Sequence, residues 1–318
     1  MQPVKLSPLA QVEYAVKDLD YSMQFFAEVF GEHEVEATFS RVLTNPALDI
    51  RHAGFGKTVQ QLCQPLMEGL PHSTAAQEFG NCVHNLCFLV ENIDAIVANC
   101  HEAGLEALIE FPMGDNWLQL LAEDNIQGNH QSYIFDTRAV FGFQLELAET
   151  PWREEPEPPI MLPAYGPQWA AEGADSGNTL RGINVVIDSL ERTLHALQSV
   201  FGGAVSLSQP AAPYGDDSGH FMVVELGQVR LVYIQPGRSG ELARFLKQRG
   251  PAVHSLVAEV ADMVRAEKSF TQFGVRTDDP EEVLLTAFGD RSRQELDALW
   301  ARSMTELGVE FVLTRAQP

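Results

Sequence analysis

The chain has 318 residues, of which 45% are hydrophobic and 20% are charged, a composition typical of globular proteins and a length sufficient for two domains. Its 44 acidic and 21 basic residues give a net charge of -23, which disfavours binding to nucleic acids and anionic membranes, because both are bound through clustered Lys and Arg. No apolar run is long enough to span a bilayer, and the N-terminal residues lack the pattern of a signal peptide.

The first predicted unit begins with an apolar strand over residues 9–16 and a helix over 19–30. Asp18 precedes apolar residues at helical spacing, and Gly31 is expected to end the helix. Three further strands are expected at 35–43, 47–54 and 58–64. Residues 65–82 contain prolines and glycines and are predicted to be a connector.

The second predicted unit has a strand over 83–90 and a helix over 92–103, which Gly104 ends. Its remaining strands are expected at 106–111, 117–122, 131–136 and 142–148. Residues 151–178 are rich in proline, acids and glycine, so they are predicted to be an interdomain linker. The third unit covers 180–236 and the fourth 252–315, with an additional helix expected over 291–304 before the last strand, 308–314.

The chain contains an internal repeat. Residues 11–31 recur without a gap at 182–202, and residues 85–104 recur at 255–274. Four strand–helix units therefore lie in two halves, and such a repeat fixes the architecture before any single element does. We expect two domains, residues 1–150 and 179–318, joined by the linker 151–178.

Three short motifs carry a resemblance to a known family. They are the V-x-D-L-D turn of Val16 to Asp20, the F-F-x-x-V-F-G of Phe25 to Gly31, and the L-x-Q-P of Leu62 to Pro65. With the β-α-β-β-β order, they resemble the vicinal oxygen chelate (glyoxalase/bleomycin resistance/extradiol dioxygenase) superfamily, in particular its methylmalonyl-CoA-epimerase-like branch. The resemblance implies an α+β fold with four βαβββ modules, which form two tandem paired-module (glyoxalase-like) domains.

The resemblance also implies a pocket with metal ligands on the first and last strands of each unit. Carried over by register, these positions are Gln11, Gln61, Asn85 and Glu146. Three amides and one carboxylate favour a hard cation such as Mg²⁺, Mn²⁺ or Ca²⁺ over Zn²⁺. The alternative is a metal-free polar pocket whose amides bind a ligand directly. Since strand side chains alternate between faces, a slip of one residue would replace this set.

The second half provides an internal comparison for these four positions. Its equivalent residues are Gly182, Val232, Ser255 and Val312, none of which is a useful metal ligand. A structural requirement of the fold would keep polar residues at these positions in both halves. Burying such side chains without partners is costly, so polar residues found in one half alone indicate chemistry or ligand binding there. The first half is therefore predicted to hold the functional pocket.

Further ligand-binding candidates lie near these positions: Trp117, Phe55, His130, His84 and Glu13. His84 matches His254 of the second half, which favours a structural histidine that faces away from the pocket. Glu13 shares a strand face with Gln11 and is a candidate base, and the alternative is a surface glutamate. The segment 113–130, which contains Trp117 and His130, is predicted to cover the pocket, while an aromatic such as Phe55 can equally be core.

These residues favour enolate chemistry on a small carbonyl-containing metabolite, by an isomerase, epimerase or lyase, with metal assistance an option. Glu146 is the predicted catalytic carboxylate, either as a ligand or as a base whose pKa burial raises. A ring-cleaving dioxygenase and a non-catalytic small-molecule binding protein remain alternatives. The four cysteines lack CxxC spacing and indicate reduced thiols in a cytoplasmic protein. We expect a monomer of two domains or a homodimer.

Overall fold

The structure is a computed structural model. It describes residues 4–32, 34, 47–55, 58–90, 92–112, 131–149, 177–215, 218–227, 229–289, 291 and 296–316. The strands predicted at 35–43 and 117–122, and the linker up to residue 176, lie outside these ranges.

The described residues of the first half form one seven-stranded sheet in the order β2-β3-β1-β4-β7-β6-β5. The strands are β1 (Leu6–Ala15), β2 (Leu48–Phe55), β3 (Thr58–Pro65), β4 (Cys82–Val90), β5 (Ala107–Pro112), β6 (Gln131–Phe135) and β7 (Gln144–Glu149). The helices are α1 (Leu19–Phe30), α2 (Pro71–Phe79), α3 (Ile93–Glu102) and α4 (Arg138–Phe141).

The second half forms an eight-stranded sheet in the order β13-β14-β15-β12-β8-β11-β10-β9. Its strands are β8 (Thr179–Val186), β9 (Val205–Tyr214), β10 (Gly219–Leu226), β11 (Val229–Gln235), β12 (Ala252–Val260), β13 (Thr277–Asp278), β14 (Leu299–Ala301) and β15 (Glu310–Arg315). Its α-helices are α5 (Leu190–Phe201), α6 (Glu241–Arg249), α7 (Met263–Gln272) and α8 (Met304–Leu307), and its 3₁₀ helices are η1 (Gly202–Ala204) and η2 (Glu282–Phe288).

The two sheets are built on the same plan. β1 runs antiparallel to β4 and parallel to β3, and β8 runs antiparallel to β12 and parallel to β11. The first strands of two modules thus meet at the centre of each sheet, and the remaining strands of each module extend outward. The fold is α+β with two paired modules in tandem, as predicted.

Local sequence signals explain where the long helices begin and end. The Asp18 carboxylate accepts a hydrogen bond from the Tyr21 amide at 2.9 Å, and Ser189 caps α5 in the same way. Gly31 follows α1 with φ 72°, a left-handed conformation that glycine adopts without strain. These caps confirm the start and the end predicted for α1.

The two halves share one hydrophobic core. α1 packs against α7, and α3 packs against α5, so each helix pair joins the halves. The ring centroids of Phe25 on α1 and Phe270 on α7 lie 5.9 Å apart, and those of Phe30 on α1 and Phe311 on β15 lie 4.9 Å apart. Gly308 lies so close to the Asn81 backbone that a Cβ atom there would be 1.7 Å from the Asn81 carbonyl oxygen.

Two local predictions differ from the structure. The predicted connector contains α2, which starts at Pro71, a residue suited to the first helical turn. The helix predicted over 291–304 is wrong for its described part: Leu299–Ala301 form a strand whose Trp300 pairs with Val312. Pairing with β15 buries Trp300. In the described residues, no helix is long and apolar enough to cross a membrane.

Candidate functional site

The four residues predicted as ligands converge on one face of the first sheet. β3, β1, β4 and β7 are neighbours, and Glu13 pairs with both Gln61 and Asn85. On the next strand, Cys87 pairs with Glu146. The alternate residues of β1, including Val12 and Tyr14, point to the opposite face and join the core. The assignment of Gln11, Gln61, Asn85 and Glu146 as metal ligands stays a prediction.

Glu13 lies at the centre of the resulting hydrogen-bond network. The Asn85 Nδ2 atom donates to Glu13 Oε1 at 2.7 Å, and Gln61 Nε2 donates to Glu13 Oε2. Gln11 Nε2 donates to Gln61 Oε1 at 3.0 Å, and Asn85 Nδ2 lies 3.4 Å from Glu146 Oε2. Only 3% of Glu13 is exposed, so the alternative of a surface glutamate is wrong. We call Gln11, Glu13, His52, Gln61, His72, His84, Asn85 and Glu146 the polar network.

A β-bulge turns His84 toward this network. Glu13 pairs with Asn85 while Tyr14 pairs with Val83, so His84 is an extra residue on β4. Bulges of this kind re-aim a side chain, and the His84 Nδ1 atom forms a hydrogen bond with Asn85 Oδ1. The expectation that His84 faces away from the pocket was therefore wrong, because it assumed a regular strand.

Two members of the network were missed by the sequence analysis. His72 lies on α2, and its Nε2 atom is 2.7 Å from Glu13 Oε1. His52 on β2 pairs with Gln61 in the sheet, and its Nε2 atom is 2.9 Å from Gln61 Oε1. The alternation of β2 places His52 on the face of Gln61 and was a usable signal. For His72 the only signal was a helix start at Pro71, inside a segment predicted to be a connector.

The remaining candidates fall elsewhere. Phe55 packs in the core against Phe30, with ring centroids 4.9 Å apart, on the sheet face opposite the polar network. Its predicted place in the pocket wall is therefore wrong, and the alternative of a core aromatic holds. Trp117 and His130, with the predicted cover 113–130, lie outside the described residues.

Burial and neighbouring charges shift the pKa values of the two carboxyl groups of the network in opposite directions. Burial would raise the pKa of Glu13, but the nearby His72 and His84 and the bond from Gln61 lower it below its usual value. Burial and the Glu13 charge raise the pKa of Glu146 to about 8. At neutral pH Glu13 is therefore the ionised member of the pair, and Glu146 is protonated.

Two histidines of the network, His84 and His52, are poor proton acceptors. Burial is the main reason why the pKa of His84 falls to about 4, and the neighbouring His72 lowers it further. Burial also lowers the pKa of His52. Both rings are therefore neutral near pH 7, the state in which an imidazole can bind a metal ion.

Three donor groups of the network lie close enough to hold a metal ion. Glu13, His72 and His84 are buried, and one ligand atom from each lies within 4.8 Å of the others. Among the residues that the structure describes, the hydrogen-bond partners of Glu13 are amides and His72, with no Lys or Arg. A buried carboxylate without a fixed positive partner suits a cation, so these residues fit a divalent metal.

The second half replaces most of the polar network with hydrocarbon. Gly182 and Asn184 stand at the positions of Gln11 and Glu13. On the neighbouring elements, Val223 replaces His52, Val232 replaces Gln61 and Leu242 replaces His72. Val257 and Val312 replace Cys87 and Glu146. These five apolar residues belong to one core cluster with Val283, Leu284 and Phe288 of η2. The side chains of η2 therefore cover this face of the second sheet, and the fold does not require the complete polar network there.

Comparison with known proteins confirms the family resemblance within the first half. Residues 9–124 match the family profile described as Glyoxalase/Bleomycin resistance protein/Dioxygenase superfamily. The match does not distinguish the epimerase-like branch from others. Comparison with curated proteins gave no match.

Solved structures with the same fold extend the likeness to the whole chain. A triple mutant of 4-hydroxymandelate synthase from Streptomyces coelicolor superposes with a TM-score of 0.69 at 17% identity, covering 100% of this chain and 94% of that one. The Mn(II)-bound glyoxalase from Novosphingobium aromaticivorans gives a TM-score of 0.55 at 14% identity, covering 99% and 84%. A fusion of a xylose isomerase-like TIM barrel with a 4-hydroxyphenylpyruvate dioxygenase gives 0.54 at 12% identity, and this chain spans 50% of it. At these identities the likeness shows the fold.

Proposed function

We propose that the protein is an enzyme that moves a proton next to the carbonyl group of a small metabolite, as an isomerase, epimerase or lyase. The observation that carries this proposal is the pair of Glu13 and Glu146 within the polar network. Their environments push their pKa values in opposite directions, which is the arrangement that assigns acid and base roles to two carboxyl groups.

Glu146 is the proton-transfer group in this proposal. Its pKa of about 8 lies near the working pH of most enzymes, where a general acid or base transfers protons best. Asn85 Nδ2 donates to Glu146 Oε2 at 3.4 Å and orients the carboxyl group. In this proposal the transferred proton is held on the carboxyl oxygens of Glu146.

A divalent metal ion would strengthen the same chemistry. Bound at this site, it would polarise the substrate carbonyl and stabilise the enolate oxygen as a Lewis acid. The manganese in the similar glyoxalase supports metal assistance here, at the level of a shared fold. We retain Mg²⁺, Mn²⁺ and Ca²⁺ as candidates if the predicted oxygen donors hold the ion.

The compartment is part of the proposal. Cys63, Cys82, Cys87 and Cys100 are all free and buried in the structure. Reduced thiols fit a reducing compartment, which supports the cytoplasm. The excess of acidic residues continues to favour a small-molecule substrate over nucleic acid.

Solvent deuterium exchange tests the proposal without knowledge of the natural substrate. The protein is incubated in D₂O with a panel of 2-oxo acids, hydroxyketones, hemithioacetals and acyl thioesters, and loss of the α-proton signal is followed by NMR. We expect exchange in at least one class, abolished by Glu146→Gln and retained by the exposed control Glu106→Gln. Tight binding of a panel member without exchange would instead indicate a non-catalytic binding protein.

A dioxygenase is the second candidate, because the structure brings two imidazoles and one carboxylate together at Glu13, His72 and His84. This donor combination is typical of non-haem Fe(II) oxygenases. The fold likeness to the 4-hydroxyphenylpyruvate dioxygenase fusion is consistent with it. Iron content and substrate-dependent oxygen uptake distinguish the two: oxygen uptake by the iron-loaded protein would replace the first proposal with the second.

A further inference from the structure

We propose that Glu13, His72 and His84 are the metal ligands of this site, in place of the strand positions implied by the superfamily resemblance, and that they bind a first-row transition-metal ion. This inference rests on the proposed function in that it names the cofactor of the same site. It differs from the predicted set in every residue, since that set was Gln11, Gln61, Asn85 and Glu146.

Geometry is the first support. The three ligand atoms lie within 4.8 Å of one another. Bonds of about 2.0–2.2 Å to one ion place three donor atoms about 3.0–3.7 Å from one another. Side-chain shifts of up to about 1 Å therefore suffice to bring all three groups onto one ion. The His72 and His84 rings stack with centroids 4.5 Å apart, which holds both imidazoles on the same side of Glu13.

The surrounding contacts are those that orient metal ligands. The Asn85 amide oxygen accepts a hydrogen bond from His84 Nδ1, a contact that fixes the tautomer of the imidazole and leaves Nε2 for a metal ion. Gln61 and Asn85 donate to the Glu13 carboxylate and hold its orientation. In this arrangement two of the residues predicted as ligands support the ligand Glu13.

The donor types select the metal. Mg²⁺ and Ca²⁺ prefer sites made of oxygen atoms, whereas imidazole suits Fe, Cu, Ni and Zn. Two imidazoles and one carboxylate therefore favour a divalent ion of the first transition row, from Mn²⁺ to Zn²⁺. The acidic character of the chain supports cation binding but does not distinguish these ions.

The duplicated fold contains a natural control for this set. His254 occupies the same bulge as His84, but its half has Asn184 and Leu242 where the first half has Glu13 and His72. The second half thus keeps one donor of three. Replacing His72 by leucine copies a combination that the fold already tolerates in its other half.

Metal binding by the purified full chain tests the inference. The protein is stripped with a chelator, dialysed, and titrated separately with Co²⁺, Mn²⁺, Zn²⁺ and Mg²⁺, with bound metal measured by elemental analysis and Co²⁺ also by visible absorption. We expect one Co²⁺ per chain for the wild type and no displacement by excess Mg²⁺. His72→Leu and Glu13→Asn should each weaken Co²⁺ binding at least about 100-fold, while Gln11→Ala and His254→Gln should retain it.

The opposite pattern overturns the inference. Loss of Co²⁺ in Gln11→Ala with retention in His72→Leu would place the ion at the predicted strand positions, and a wild type without any bound metal would exclude the site. Circular dichroism identifies a variant that fails to fold, in which case His84→Gln is used in its place. Deuterium exchange by a metal-free wild type would refute the metal centre and leave the proposed function intact. A metal-loaded protein without exchange would refute the proposed function and leave the metal centre intact.

Discussion

His84 and His254 occupy the same β-bulge in the two halves of the chain. In the first sheet the bulge lies between the pairs Glu13–Asn85 and Tyr14–Val83, and in the second it lies between Asn184–Ser255 and Val185–Val253. The neighbours decide what each ring contacts. His84 stacks on His72 at 4.5 Å, while His254 lies 4.9 Å from the ring of Phe245.

This pair of bulges explains how one scaffold supports two different interiors. The backbone places a histidine beside the central strand in both halves, so its position follows from the fold. The surrounding residues differ: the His72 imidazole stacks on His84, whereas His254 lies between the rings of Phe245 and Trp300, with a Glu310 carboxylate oxygen 3.7 Å away. Function in the first half therefore depends on a few substitutions within a common framework.

Glu146→Gln is expected to abolish proton exchange while the fold is retained. Glutamine matches the shape of the protonated carboxyl group and can still meet Asn85, but it cannot accept or release the transferred proton. Exchange should fall at least about 10²-fold, the lower end for loss of an acid–base group. NMR exchange rates and thermal unfolding are measured side by side with Glu106→Gln. Unchanged exchange in Glu146→Gln would remove this residue from the mechanism.

Gly182→Ala is expected to destabilise the protein because η2 leaves no room for a side chain. A Cβ atom at this position would lie 2.6 Å from both Ala287 Cβ and the Arg230 carbonyl oxygen. Overpacking of this kind costs about 1–3 kcal/mol. Urea unfolding measures the loss, and Gly203→Ala is the matched control because a Cβ atom there meets nothing within 4 Å. Equal stability of the two variants would show that η2 can move away from the sheet.

Much of this architecture could be predicted from the sequence, and the reasons are physical. Side chains on a strand alternate between two faces, so a repeat and its register suffice to bring Gln11, Gln61, Asn85 and Glu146 onto one surface. The caps of α1 follow from Asp18 and Gly31, because capping depends on the local chain alone.

The chemistry at the centre could not be predicted in the same way. A bulge adds one residue to β4 and changes the direction of His84, and no sequence period reveals where that happens. His72 reaches Glu13 from a helix 59 residues away along the chain, a contact that only tertiary packing decides. The packing of η2 on the second sheet likewise depends on long-range contacts that local propensity does not encode.

Glu310→Gln is expected to change how stability depends on pH. Burial raises the pKa of Glu310 from 4.5 to about 7 despite its contact with Arg302, so the folded protein favours the neutral acid. The stabilising contribution of this group is therefore fully present below pH 4.5 and is lost as the pH rises through 7, at about 1.4 kcal/mol for each pH unit of that interval.

The glutamine variant lacks this titration, so its stability relative to the wild type should improve between pH 4.5 and pH 7.5. Denaturant unfolding at half-unit pH steps measures the difference, with the exposed Glu267→Gln as control. A difference that stays constant over this range would mean that Glu310 titrates normally in the folded protein.

Asn178→Ala is expected to weaken the contact between the two halves. The Asn178 amide donates to the Phe30 carbonyl at 2.9 Å and to Glu32 Oε1 at 2.7 Å, and its oxygen accepts from the Ala261 amide at 3.1 Å. The residue thus joins the end of α1 to the turn that follows β12. Removing a buried side chain that satisfies several polar groups costs about 1–3 kcal/mol for each group left without a partner.

Because α1 and α7 share one core with both sheets, this loss should lower the stability of both halves together. Denaturant unfolding should retain a single transition at a lower midpoint, and hydrogen exchange should accelerate at the end of α1 and around Ala261. The exposed Gln198→Ala on α5 is the control. Two separate transitions, with only one half affected, would contradict the shared core and show that the halves unfold independently.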